Sequence, residues 1–174
     1  MGSEWVGAIS ALSGGLLTGL ISIVINKIQL KNEREKILLK EKITLEKENL
    51  LMLSKHKEEL FDSIQKIDFE LSLTQFTALR EKGITHGDFI EYYNKIYALA
   101  FRSRLLVHLY FPKLINGVEE VYRLVYFIWG IQNNFFGDSH DNKSNQKSLL
   151  MDFIKKSEEI SKCCSEIMYS ICER

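Results

Sequence analysis

Four cations near the middle of the chain, Lys95, Arg102, Arg104 and Arg123, are the residues best suited to chemistry. A guanidinium presents a planar fork that matches a phosphate with two parallel hydrogen bonds. At 100° per helical residue, Arg104 shares its angular position with Tyr93, Tyr97 and Phe111, while Lys95 and Arg102 share another face. Aromatic walls beside a cation could stack on bases, so Arg104 with Arg123 is a candidate site for a phosphate or another anion. The competing reading is structural: a charge on an apolar side must be paired, and Glu119 or Glu120 could pair Arg104. His108, one turn on, reads as a satisfied core histidine.

The remaining reactive side chains form no catalytic set. His86 and His140 sit in polar segments with no nucleophile or metal partner in view. Cys163, Cys164 and Cys172 are odd in number, cluster near the end of the chain and read as free thiols of a reducing compartment. None of the histidines stands at ligand spacing from them, and there is no glycine-rich phosphate loop, HExxH or CxxC. No enzyme, metal or cofactor is therefore expected, and a net charge of zero points to no partner.

A second set of residues lies in an uncharged stretch near the start, Trp5 to Ile25, which contains no Lys, Arg, Asp, Glu, Asn or Gln. Those 21 residues would reach about 31 Å as a helix, enough to cross a hydrocarbon core of about 30 Å. Gly7, Ala11, Gly15 and Gly19 make one i, i+4 strip and Ser10, Gly14, Thr18 and Ser22 the strip beside it. Leu12, Leu16, Leu20, Ile9, Ile23 and Val24 cover most of the other half. Small strips let helices approach closely in lipid, so this span reads as built to meet copies of itself. Three readings fit the strips: a packing face alone, the lining of a narrow conduit, because hydroxyls and exposed backbone suit water better than lipid, or a simple anchor with incidental glycines.

The span lacks the basic leading region of a cleaved signal peptide, so it is expected to stay. Lys27, Lys31, Arg34, Lys36, Lys40 and Lys42 follow it and no Lys or Arg precedes it. By the positive-inside rule the short N-terminus is expected to face outward and the rest to lie in the cytoplasm.

Around these residues the sequence predicts an all-α protein in three parts: tail and span at 1–26, a coiled-coil stalk at 27–73, and a helical bundle at 60–174 that shares the end of the stalk helix. In heptads, Ile43, Leu50, Lys57, Ile64 and Leu71 fall at a, and Leu39, Glu46, Leu53, Leu60 and Ile67 at d. Leu38, Leu45 and Met52 recur every seven residues beside that seam and widen the apolar face, which predicts three or more helices around this axis or a second layer of packing. The lysines of 27–42 suit a segment near anionic headgroups, and the charge run reads as solvated helix surface.

The stalk helix is expected to run to about Leu79 and to break at EKGITHG, residues 81–87, with Asp88 as the next N-cap. The following helix, from Asp88 to Phe111, is apolar nearly all round and is expected to be the buried centre, ended by Pro112. A helix from about Lys113 to Phe135, a loop by composition at 137–146 and a last helix from about Gln146 to Ile171 complete the chain. Leu124 to Ile131 is too short to span, and extending it takes in Glu119, Glu120 and Arg123, so it reads as core.

The layout of a short tail, a glycine-rich span, NKIQLKNEREKILLKEK at 26–42, KEELF at 57–61 and LLVHLYFPKL at 105–114 resembles small bacterial single-span proteins with a cytoplasmic helical domain. More specifically it is similar to the membrane effector of Hailong-type anti-phage defence. That resemblance implies an oligomeric channel gated by a nucleic-acid or nucleotide ligand, with a nucleotidyltransferase as partner protein; it assigns no residue. The alternative function is a passive membrane-tethered scaffold whose helical domain recruits a protein.

Overall fold

The computed structural model describes residues 3–136 and 143–173, with side chains from Ser22 to Phe136 and from Gln146 to Glu173. The chain divides into two units, 1–51 and 52–174. The described elements are helical and include no strand: α1 (Ser3–Glu70), α2 (Leu73–Lys82), α3 (His86–Tyr110), a 3-10 turn at Pro112–Leu114, α4 (Ile115–Phe136) and α5 (Lys143–Cys172). Among the described residues no helix is long and apolar enough to cross a membrane. The side chains of Trp5 to Ile21, the greater part of the expected span, lie outside them.

From Ser22 to Lys55 every residue of α1 is exposed, and burial begins at His56. The heptad seam is accordingly divided. Leu60, Ile64, Ile67 and Leu71 are 0% exposed within their own chain, whereas Leu39, Ile43, Leu50 and Leu53 are 59%, 43%, 67% and 41% exposed. The a and d positions from about Leu60 on therefore serve an intramolecular core, over the stretch of helix that stalk and bundle were expected to share. A period of seven cannot tell these cases apart, because a four-helix bundle uses the same knobs-into-holes seam as a coiled coil.

In the second unit the end of α1, α3, α4 and α5 form an up-down-up-down bundle. Pairings fix the directions: on α1 and α3, His56 stacks on Tyr110 and Tyr92 donates to the Glu70 carbonyl at 2.6 Å. Between α3 and α4, Tyr93 donates to the Val125 carbonyl and Arg104 pairs with Glu119. Ser157 of α5 donates to the Leu71 carbonyl at 2.9 Å and closes the circuit back to α1. Gly117 lets α4 and α5 approach, since a Cβ there would lie 3.0 Å from Ile167 Cγ1. The core is aliphatic along the bundle and aromatic at the end capped by α2, where Phe76 stacks on Phe153 at 4.3 Å and meets Phe135 and Phe136.

Two boundaries depart from the sequence expectation. The long helix stops at Glu70 rather than near Leu79, because Ser72 turns extended and its hydroxyl accepts from the Gln75 amide at 3.2 Å, capping α2. The N-cap of α3 is Thr85, not Asp88: Thr85 Oγ1 accepts from the Asp88 amide and the Asp88 carboxylate accepts from the Thr85 amide, a reciprocal capping box. Between them Gly83 takes φ 60°, the left-handed C-cap geometry that glycine adopts without strain. The break at Pro112 falls as expected. The helix α5 begins three residues before Gln146, within the normal scatter of helix ends.

The expectation that α3 is buried all round is corrected as well. Phe89, Tyr93, Ile96, Ala100, Leu106 and Val107 face the core, but Tyr97, Phe101, Leu105 and Leu109 are exposed. In a four-helix bundle every helix keeps one outward face, so an all-apolar helix leaves part of itself uncovered.

Candidate functional site

The candidate anion site centres on the α3–α4 surface. Antiparallel packing sets Arg104 opposite Glu119, and Nε donates to Oε1 at 2.5 Å. The guanidinium lies over the Tyr122 ring at 4.9 Å, and Tyr122 shares a hydroxyl hydrogen bond with Tyr97. His108 Nε2 contacts the same Glu119 oxygen at 3.0 Å. His108 is thus a half-exposed surface histidine held by a carboxylate, which corrects its reading as a core histidine. The His108 and Arg104 contacts hold the Glu119 carboxyl below its usual range, and Glu119 in turn raises the Arg104 guanidinium.

One turn along α4, Arg123 donates through Nε to Glu120 Oε2 at 2.9 Å and stands 5.4 Å from the Phe127 ring centre. That hydrogen bond lowers the Glu120 carboxyl. Together with Asn116, Glu119, Tyr122 and Tyr126 it borders an open depression of about 500 Å³. Arg102 and Lys95 lie elsewhere. Arg102 reaches α1, where its Nε pairs with Glu59 and lowers that carboxyl, at a separate depression of about 400 Å³. Lys95 pairs with Glu91 at 3.0 Å on its own helix.

The structure therefore brings Arg104 and Arg123 onto one surface and separates Arg102 and Lys95 from them. Each of the four cations is matched by a glutamate, as the structural reading of Arg104 expects. An anion would have to displace a carboxylate, and the depression at Arg123 presents Glu119 and Glu120 beside the cation. The tyrosine hydroxyl pair at Tyr97 and Tyr122 and the partner role of Glu59 were not foreseen. Their signal, aromatic and acidic residues at matching heights of antiparallel helices, is readable only once the pairing of helices is known.

Of the eight positions of the small-residue strips, Gly7, Ser10, Ala11, Gly14, Gly15, Thr18 and Gly19 lie outside the residues whose side chains are described, and Ser22 is exposed. The three cysteines are free: Cys164 is buried, and burial pushes its thiol upward, while Cys172 is exposed. No family model, curated protein or solved structure matches the chain.

Proposed function

We propose that the chain is an oligomeric membrane effector of bacterial anti-phage defence, an ion-conducting pore gated by a nucleotide or oligonucleotide at its cytoplasmic helical bundle. The observation that carries the reading is the half-circumference of glycine, serine and threonine at Gly7 to Ser22, on a helix whose next 34 residues, Ser22 to Lys55, find no cover in their own chain. Both features call for parallel copies of α1 around one axis. The N-terminal span crosses the cell membrane with its tail outside, and a nucleotidyltransferase supplies the ligand. A ligand bridging the bundles would hold the stalks in one arrangement, and it can bias opening only by its differential affinity for the two states.

A second reading, a passive tethered scaffold for a protein partner, draws support from the paired state of Arg102, Arg104 and Arg123 and from the exposed Phe101 and Leu105. One experiment separates them. Full-length protein in planar bilayers, with and without oligonucleotides, conducts ions if it is a pore, and replacing Ser10, Thr18 and Ser22 together by Leu abolishes the current. Absence of conductance under every condition rejects the pore and leaves the scaffold.

A further inference from the structure

From Gly130 to Phe136, roughly its last two turns, α4 breaks two rules of helix stability at once. Gly130 lies inside the helix, where glycine weakens it relative to alanine. Close approach is no reason for it: a Cβ at Gly130 would meet nothing within 4 Å, whereas one at Gly117 would lie 3.0 Å from Ile167 Cγ1. Two residues on, Gln132 is 0% exposed and its amide finds no hydrogen-bond partner among the described residues, which also destabilises the packed state. Asn133 and Asn134, poor helix formers, follow directly. Upstream, by contrast, Val118, Val121, Leu124, Val125 and Ile128 are buried aliphatic residues, and Tyr93 donates to the Val125 carbonyl.

These weak turns are what α2 rests on. The buried residues of α2 are Phe76 and Leu79, and the Phe76 ring meets Phe135 at 5.0 Å and Phe136 at 5.6 Å, with Arg80 5.8 Å from the Phe135 ring centre. The helix lies between two turns, the extended Ser72 and Gly83 at φ 60°. Behind it the end of α1 is fixed separately, by Ser157 on the Leu71 carbonyl and Tyr92 on the Glu70 carbonyl. We infer that α2 and residues Gly130 to Phe136 of α4 form a lid that opens as one unit over the aromatic end of a bundle that otherwise stays folded. Local opening is drawn from the least stable elements of a fold and follows cooperative units. Opening lets water reach the Gln132 amide, parts Phe89 from Phe136 and Phe153 from Phe76, and so presents an aromatic surface that exists in the open state alone. The lid requires neither the pore nor the oligomer.

The test is native-state amide hydrogen exchange on the full chain, read by mass spectrometry over peptides covering 76–82, 124–128 and 131–136. In the wild type, 76–82 and 131–136 are expected to share one protection, below that of 124–128. Gly130→Ala should raise protection over both lid segments by the same factor, about two- to fivefold, and Gln132→Met by about fivefold or more. Either substitution carries the test alone, and a melting temperature no lower than that of the wild type shows that the variant folds. Wild-type protection over 131–136 equal to that over 124–128 overturns the lid. So does a gain over 131–136 that leaves 76–82 unchanged, which is the pattern of simple fraying at a helix end, and so does no gain over either segment.

Discussion

At the scale of single residues, Gln132 is the anomaly. Its side chain is fully buried on α4, and neither amide atom has a hydrogen-bond partner. An unmet buried amide costs about 1–3 kcal/mol, and an apolar residue of similar shape removes that cost. Gln132→Met is accordingly expected to raise the melting temperature by a few degrees in a thermal scan. Glu119 makes the opposite case. His108 and Arg104 lower its carboxyl in the folded chain, so its contribution is present above the ordinary carboxylate range of about 4.3 and is lost as pH falls through the folded value. Glu119→Gln should therefore melt below wild type near pH 6, and the gap should narrow as pH falls below the ordinary carboxylate range and close once it has passed the lowered folded value. The Arg104–Glu119 pairing was among the readings open in the sequence. Its outcome was not, because it turns on the height at which α4 packs against α3.

Among the elements, α2 and the junctions around it depend most on a few contacts. Phe153 is fully buried and stacked on Phe76, so Phe153→Ala should cost about 3–5 kcal/mol and loosen α2, read by denaturant unfolding. Ser157→Ala removes the hydroxyl that satisfies the Leu71 carbonyl where α1 ends, at about 1–3 kcal/mol in the same assay. Helix existence was legible from periodicity and from Gly83 and Pro112. The end of α1 was not: Ser72 and Gln75 make the S-x-x-Q capping pattern, but apolar periodicity runs straight through them. Register alone does not say which seam positions are covered, since Leu53 and Leu60 have the same residue type and register yet differ from 41% to 0% exposure. What differs is the presence of α3 and α5 beside one and nothing beside the other, a tertiary fact.

For the whole molecule, the exposed apolar residues of α1 and the small-residue strips of Gly7 to Ser22 give the account its direction. A helix that turns leucine and isoleucine to solvent from Ile23 to Leu53, roughly nine turns, needs covering, and in lipid small strips supply the closest approach between copies. The central claim is that several parallel chains bring those strips together within the bilayer. Its most direct measurement is a single-cysteine scan from Gly7 to Ser22 in native membranes, on a chain lacking its own three cysteines. Disulfide formation should peak with a period near 3.6 residues at Gly7, Ala11, Gly15 and Gly19 or at Ser10, Gly14, Thr18 and Ser22. Peaks at Leu12, Leu16 and Leu20 instead, or no disulfides at any position, would contradict the claim.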